Sequence, residues 1–240
     1  MKKIFLFLCG IALVATGCEE ESSSNVSQLT NFPTFVLNGD AVMFVPKGTV
    51  FEDPGVTVTE GDVEIPYETS VSGQFQGGTT VDTNVDDIYT ITYSAVNQDG
   101  YPGQAIRKVI VYDNGDLTSS IAGVYRSTVV RNGAASAQYT DMEYVMIWNT
   151  GGNNYHVSDG IGGYYAIGRA YGDAYLAPMD VVANDIPSNN FTVPDFTVGT
   201  FGGVAHNTEF TVNPGAGTIH FVTDWSEGYT FDVTLEQVQP

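Results

Sequence analysis

The sequence is short of basic residues and of cysteine. Its 240 residues include 8 Lys and Arg, 28 Asp and Glu and only two Cys, and the formal net charge is −20. Proteins that bind nucleic acids need clustered Lys and Arg to neutralise phosphates, so this charge balance excludes nucleic acid as an expected partner. Charged residues make up 15% of the chain against about 25% in an average soluble protein, which is unlike a charged helical chain or a disordered acidic tail.

Both cysteines lie in the first eighteen residues. Two lysines precede an apolar run over residues 4–14, which is too short to cross a bilayer as a permanent helix and predicts a signal peptide over residues 1–17. The small residues before Cys18 resemble the lipobox of bacterial lipoproteins, in which that cysteine receives diacylglycerol and becomes the N-terminus. The alternative is an ordinary signal peptide with Cys18 as a stray thiol. Cleavage before Cys18 removes two lysines, so the net charge changes from −20 to −22.

An acidic run follows the lipobox. Glu19, Glu20 and Glu21 resemble the export signal that sends lipoproteins of the Bacteroidetes to the outer face of the outer membrane. Residues 18–33 as a whole predict an acidic, serine-rich tether, and incidental charge in a solvated linker is the alternative. The resemblance implies that the outer membrane is a partner of this protein. The protein is expected to be attached to it by a lipid anchor and to face the extracellular side.

Residues 34–113 show the short alternating runs of a β-sandwich. The alternation over residues 88–96 places Tyr89, Ile91 and Tyr93 in the core, and Asn38-Gly39 predicts a hairpin turn between the first two strands. Pro54 and Gly55 are expected to redirect the chain at the start of a strand.

The same region carries a resemblance to a known family. Residues 47–56, 89–93 and 107–111, with Asp99-Gly100 between the last two, resemble the bacterial Ig-like domains of surface proteins and crystal toxins. This resemblance implies spacing, display or adhesion, and it brings no catalytic residue with it.

Residues 117–240 predict a second antiparallel β domain, a barrel or a sandwich, so that the fold class is all-β. Eight short strands separated by turn signals are expected, one of them over residues 164–167. In so acidic a chain, Arg126, Arg131 and Arg169 are each expected to pair with a carboxylate. Residues 121–125, 155–159, 162–165 and 225–231 resemble a C-terminal β domain of uncharacterised Bacteroidetes lipoproteins, which often accompany outer-membrane glycan-uptake systems.

Aromatic residues in the second domain are the candidate ligand-binding residues. Aromatic rings stack on the apolar faces of sugars while Asp, Asn and Gln bond to sugar hydroxyls, and the candidates on this ground are Trp225, Tyr164, Tyr165, Tyr171 and Trp148, together with Tyr175. Trp225 is the strongest single candidate, because it follows Asp224 and precedes Ser226-Glu227-Gly228 in an expected turn. The alternative is that all of these rings fill the core or its rims.

The sequence predicts no catalytic residue and no cofactor. His156, His206 and His220 show no motif spacing, and no metalloprotease helix, nucleophile elbow or phosphate-binding loop is present. Calcium is compatible with the many acidic loops, but no EF-hand spacing occurs and no metal site is predicted.

These observations favour a non-catalytic cell-surface lipoprotein. Its expected role is an accessory glycan-binding or display protein of an outer-membrane nutrient-uptake system, with a glycan and outer-membrane transporter components as partners. Two alternatives remain open: a structural or adhesive protein that binds protein partners, and a glycoside hydrolase with two carboxylates facing across a cleft.

Lipidation at Cys18 can be tested by metabolic labelling. Cells that express the wild-type chain should incorporate labelled palmitate into it, whereas the Cys18→Ala variant should incorporate none, because the acylated thiol is missing. The Cys9→Ala variant is the control and should be labelled as the wild type is. Equal labelling of Cys18→Ala and wild type would contradict the lipobox assignment.

Overall fold

The computed structural model describes residues 30–240. Cys18, the three glutamates after it and most of the predicted tether lie outside the described residues. Two β domains follow one another along the chain, which confirms the predicted all-β fold class. Among the described residues, no helix has the length and apolar character needed to cross a membrane.

The first domain is a sandwich of two sheets. One sheet has the order β1-β3-β4 and the other β2-β7-β6-β5, in which β2 and β7 are parallel. Its strands are β1 Pro33–Leu37, β2 Val42–Pro46, β3 Val56–Glu60, β4 Val63–Glu64, β5 Glu68–Gly73, β6 Asp87–Val96 and β7 Pro102–Tyr112. The core confirms the predicted inward face of β6, since Tyr89, Ile91 and Tyr93 are at most 2% exposed.

The predicted hairpin at Asn38-Gly39 is wrong. β1 pairs with β3 and β2 pairs with β7, so the chain crosses here from one sheet to the other. Gly39 does have a positive φ of +82°, as a tight turn requires, but a local turn signal does not decide which strands pair. Gly55, with φ of +74°, directly precedes β3 and confirms the predicted change of chain direction.

A buried arginine holds this turn region in place. Arg107 is fully buried and forms a salt bridge with Asp53, and it also donates to the hydroxyl of Tyr93 at 2.6 Å and to the carbonyl of Asn38 at 2.7 Å. The Tyr93 hydroxyl in turn donates to Asp53 at 2.6 Å. Burial, together with this carboxylate, raises the pKa of Tyr93. The network therefore fixes the β1–β2 crossover and the turn before β3 to the core.

The second domain is a nine-stranded antiparallel sheet that curves into a half-barrel. The strand order is β12-β11-β10-β9-β8-β16-β15-β14-β13, so the two edge strands follow each other in sequence. Its strands are β8 Gly123–Arg131, β9 Met142–Gly151, β10 Asn154–Val157, β11 Met179–Asp185, β12 Asn190–Thr192, β13 Phe196–Val198, β14 Gly202–Asn213, β15 Thr218–Trp225 and β16 Tyr229–Gln237. Three 3₁₀ turns span Ala137–Tyr139, Asp173–Tyr175 and Gly199–Phe201.

The strand predicted over residues 164–167 is wrong. Tyr164–Gly168 forms a single π-helical turn within a long connection between β10 and β11. Tyr164 and Tyr165 are both buried against the concave face. The apolar run in the sequence therefore marks a buried segment, and not a strand. We call residues 158–178 the plug, because they pack against this concave face.

Buried hydroxyl groups hold the plug in the half-barrel. Ser127 of β8 donates to the carbonyl of Gly162 at 2.8 Å, and Thr223 of β15 donates to the carbonyl of Gly160 at 2.7 Å. Both hydroxyl side chains are completely buried, so these bonds form in a medium of low dielectric constant, where leaving a carbonyl unpaired would be costly. Ile161, between the two glycines, joins the main hydrophobic core.

The two domains share a hydrophobic interface on the convex side of the half-barrel. Outward-facing side chains of β8 and β9 pack against the outer face of the β2-β7-β6-β5 sheet, and the buried members of this cluster are Ile88, Ile110, Val124, Tyr144, Met146 and Trp148. The ring of Phe75 stacks on Trp148 at a centroid distance of 5.8 Å, and Gln74 donates to Asp173 of the plug at 2.8 Å. The first domain therefore contacts both the sheet and the plug.

A glycine substitution tests the seating of the plug. Gly162 has a φ of +68°, and a Cβ there would lie 2.7 Å from Ser127, Val129 and Val233 side chains. We expect Gly162→Ala to lower the free energy of unfolding by about 3 kcal/mol in urea titrations, through overpacking and left-handed strain combined. Gly152→Ala is the matched control: its φ is +61° with no atom within 4 Å, so only a strain of about 1 kcal/mol should remain. Equal losses in the two variants would contradict the packing argument.

Candidate functional site

A contiguous cluster of aromatic and arginine side chains lies at one rim of the half-barrel. Tyr165 is at its centre, with ring centroids 4.8 Å from Phe201, 6.1 Å from Trp225 and 6.2 Å from Tyr171. We call this group the rim cluster; its members are Arg131, Tyr139, Tyr164, Tyr165, Arg169, Tyr171, Tyr175, Phe201, Trp225 and Tyr229. Each member contacts at least one other member through a ring–ring or guanidinium–ring contact.

The topology explains why these residues meet. The plug supplies the four tyrosines from 164 to 175, the turn between β13 and β14 supplies Phe201, and the hairpin between β15 and β16 supplies Trp225 and Tyr229. The antiparallel register pairs Trp225 with Tyr229 and Arg131 with Phe231, which brings Arg131 to the same end of the sheet. Distant segments of sequence therefore build one surface.

Two rings of the rim cluster are open to solvent. Tyr171 is 47% exposed and Phe201 is 46% exposed, and their centroids are 6.4 Å apart. Trp225, Tyr164 and Tyr165 are each less than 9% exposed. Tyr165 contacts both open rings and Trp225 contacts Phe201, while Tyr164 packs against Tyr165. Exposed aromatic rings on a rigid, buried aromatic base have few internal degrees of freedom to lose on binding a ligand.

Trp225 does not lie in a turn as expected from its polar neighbours. It is the last residue of β15, it is 7% exposed, and its indole N–H donates to the carbonyl of Gly202 at 3.0 Å. Gly203 is required beside it, because a Cβ at that residue would lie 2.5 Å from the indole nitrogen. The polar residues that follow Trp225 form the turn; the indole itself belongs to the core.

Two of the three arginines expected to pair with carboxylates lie instead on tyrosine rings. Arg126 forms the expected salt bridge, with Glu143 at 2.6 Å. The guanidinium carbon of Arg131 lies 4.8 Å from the ring centroid of Tyr164 and 4.7 Å from that of Tyr229, and Arg169 lies 5.6 Å from that of Tyr164. A guanidinium over an aromatic face is attracted by the ring quadrupole, which replaces the missing carboxylate.

Hydroxyl groups and guanidinium shift one another's protonation in this part of the rim cluster. The hydroxyls of Tyr171, Tyr164 and Tyr139 raise the pKa of Arg169. The hydroxyl of Tyr164 and then Arg169 lower the pKa of Tyr139, whereas burial raises the pKa of Tyr164. Arg169 is thus a fixed positive charge beside the exposed ring of Tyr171.

Trp148 lies apart from the other predicted ligand-binding residues, at the domain interface. It is 9% exposed, with Phe75 stacked on it and the ring of His156 at a centroid distance of 4.7 Å. A cleft of about 380 Å³ opens beside it between the two domains, lined also by Gln74, Asp173 and Thr197. The structure therefore brings Tyr164, Tyr165, Tyr171 and Trp225 together and separates Trp148 from them.

The three histidines each lie beside a carboxylate on the surface. His156 contacts Asp180 at 2.7 Å, His206 contacts Asp195 at 2.6 Å, and His220 contacts Asp232 at 2.9 Å. They lie on three different strands, so they do not converge on one site. Within residues 30–240, no three His, Cys, Asp or Glu side chains form a group that could hold a metal ion.

The sequence did not predict that Phe201 and Tyr229 belong to the rim cluster. It also did not predict that Arg131 and Arg169 lie over tyrosine rings. Phe201 follows Gly199-Thr200 and precedes Gly202-Gly203, and an aromatic residue between glycines is a signal of an exposed loop ring. The arginines gave no signal, since their tyrosine partners come from other segments.

Comparisons with known proteins agree with this architecture. One family model, described as a C-terminal domain, matches residues 114–237, and another, described as "Bacterial surface protein, Ig-like domain", matches residues 35–111. A solved structure, the lipoprotein BT2262 from Bacteroides thetaiotaomicron, has a TM-score of 0.64 and is 26% identical. That match covers 86% of this chain and 100% of the other. No significant match is found among curated proteins.

A buried carboxylate in the plug provides a pH-dependent test. Asp159 is completely buried; its Oδ1 accepts from the amide of Ile161 at 2.9 Å, while Oδ2 has no partner. Burial raises the pKa of Asp159 from 3.8 to about 6, although the amides of Gly163, Ile161 and Ala177 partly oppose the shift. The folded state therefore holds this proton longer than the unfolded state does, so stability falls as the pH rises from about 4 to about 6.

We expect the Asp159 carboxyl to titrate near this raised value in carbon-detected NMR of the folded protein. The difference in unfolding free energy between wild type and Asp159→Asn should change over the same pH window, because only the wild type loses the proton. Asp185→Asn, at the exposed end of β11, is the matched Asp-to-Asn control outside the plug. Titration of Asp159 near its ordinary value would contradict the burial argument.

Proposed function

We propose that this chain, which belongs to the BT2262-like surface lipoproteins and has a bacterial surface Ig-like domain before its C-terminal domain, is a non-catalytic glycan-binding protein. The rim cluster is its binding surface. Tyr171 and Phe201 stack on the apolar faces of sugar rings, and the polar groups around them bond to hydroxyls.

The observation that carries this proposal is the pair of exposed rings on a buried aromatic base. Tyr171 and Phe201 are nearly half exposed, although both contact the buried ring of Tyr165 and Phe201 also contacts the buried ring of Trp225. Large exposed aromatic side chains that lie next to each other on a surface mark interaction sites more often than isolated ones do. The interplanar angle of 59° between them fits a ligand with two differently inclined faces, such as successive sugars of a chain.

The remaining architecture is consistent with display of this surface. The Ig-like domain packs against the convex side of the half-barrel, while the rim cluster is built from the plug and the strand ends. In the proposed arrangement, a lipid at Cys18 and a tether over residues 18–33 hold the protein on the outer membrane. Its partners there are a glycan and the transporter components of an uptake system.

A second candidate function is the binding of protein partners by a structural or adhesive surface protein. The low exposure of Trp225, Tyr164, Tyr165 and Trp148 favours it, because these rings serve the core or the domain interface. Under this alternative Tyr171 and Phe201 contact a protein instead of a sugar.

The glycan proposal can be tested on a polysaccharide array with the full-length chain in detergent. We expect Tyr171→Ala and Phe201→Ala each to weaken binding about tenfold or more, since each removes an exposed aromatic anchor. Their melting temperatures should change by less than about 3 °C, because both rings are largely solvated. Trp225→Ala is unsuitable for this purpose, since removal of a buried indole costs about 3 kcal/mol or more of stability.

Tyr101→Ala is the matched control. Tyr101 is 48% exposed and lies in the Ig-like domain, beside Phe32, so its loss should leave glycan binding unchanged. Absence of binding to every neutral and acidic polysaccharide on the array would overturn the glycan proposal and leave the protein-binding alternative.

A further inference from the structure

The pairing of basic side chains is uneven in this acidic protein. Lys47, Arg107 and Arg126 each form a salt bridge with a carboxylate. Lys108, Arg131 and Arg169 form none with any carboxylate of residues 30–240, although the chain has 28 acidic residues against 8 basic ones. Both unpaired arginines belong to the rim cluster.

Both guanidinium groups contact the same tyrosine, since their central carbons lie 4.8 Å and 5.6 Å from the ring centroid of Tyr164. Arg131 lies between the rings of Tyr164 and Tyr229, and Arg169 lies over Tyr164 as well. Arg131 is half-buried and Arg169 is exposed, so both remain reachable from solvent. A guanidinium that rests on ring faces keeps its N–H donors at its edges, where they match the two oxygens of a carboxylate.

The two arginines are linked to the exposed rings through their neighbours. Arg169 is two residues before Tyr171 and lies over Tyr164, which contacts Tyr165, the ring on which Tyr171 is stacked. Arg131 is connected to Phe201 through Tyr229 and Trp225. A sugar ring that lies on Tyr171 would therefore place its substituents near a positive charge.

On the premise of the glycan-binding function proposed above, we infer that the rim cluster selects glycans that carry isolated carboxylates, such as uronic acid residues in a neutral chain. The carboxylate binds Arg131 and Arg169 while neighbouring neutral sugars contact Tyr171 and Phe201. A dense polyanion fits less well, because the net charge of −20 repels it beyond the two arginines. A single carboxylate in physiological salt interacts mainly with charges within about 8 Å, so the local pair outweighs distant acids.

The test compares polysaccharides that differ only in the carboxylate. Glucuronoxylan and gum arabic each contain glucuronic acid in a largely neutral polymer, and chemical reduction converts this acid to a neutral hexose. We expect the full-length wild-type chain in detergent to bind the native form of at least one of them about tenfold or more tighter than its reduced form. Binding of the native form should weaken as NaCl is raised, and binding of the reduced form should not.

Arginine variants assign the effect to the site. Arg131→Gln and Arg169→Gln should lower affinity for the native polymer to that for the reduced polymer, and Arg169→Lys should restore part of it. Arg126→Gln is the matched control, since Arg126 lies on the same strand as Arg131 but is paired with Glu143. The comparison of native and reduced polymers needs no variant, so it holds even if a substitution impairs folding.

The outcomes separate the two proposals. Equal binding of native and reduced polymers, or binding of neutral polysaccharides alone, would overturn the carboxylate inference and leave the glycan function standing. Binding of no polysaccharide at all would overturn both. Tight binding of the native form that survives both Arg→Gln changes would place the carboxylate elsewhere and overturn the assignment to Arg131 and Arg169.

Discussion

The concave face of an open, strongly curved sheet must be covered to bury its apolar side chains, and both the core and the rim of the second domain depend on the segment that covers it. Nine antiparallel strands stop short of closing into a barrel, so no opposite wall buries the inward side chains. The plug takes the place of that wall. Glycines at the start of the plug have no side chains, so the backbone there can approach the strands closely. The buried hydroxyls of Ser127 and Thr223 donate hydrogen bonds to backbone carbonyls of the plug. The core and the rim are consequently made by the same segment.

This arrangement joins stability to recognition. Residues at the start of the plug fill the core, and residues a few positions later reach the rim, so a ring such as Tyr165 supports Tyr171 and Phe201 while it is itself buried. The first domain uses a different device for a similar purpose, since buried Arg107 secures its loops by hydrogen bonds where no disulfide is available among the described residues. In both domains, polar groups inside the core determine where the loops lie.

The sequence predicted what depends on local pattern. Alternation in β6 identified its buried face, and Pro54-Gly55 identified the turn before β3, because each signal lies within a few residues. It predicted Tyr164–Ile167 wrongly as a strand, since a short buried apolar run has the same appearance in a strand and in a plug. For the candidate site, the structure brings together Tyr164, Tyr165, Tyr171 and Trp225, which the sequence offered as ligand-binding candidates, but their exposure was not predictable. Exposure of Phe201 and placement of Arg131 depend on contacts between segments far apart in the chain, which periodicity does not encode.

The two edges of the half-barrel matter for a protein crowded on a surface. An incomplete barrel leaves two strands with unpaired amide and carbonyl groups, and such edges can pair with those of neighbouring molecules. Here β12 and β13 are only three residues each, and Val193-Pro194-Asp195 joins them directly. Short edges offer few hydrogen bonds to an incoming strand, and the proline between them has no amide proton to give. The sheet thus remains open enough to hold a plug while giving little opportunity for chains to assemble edge to edge into fibres.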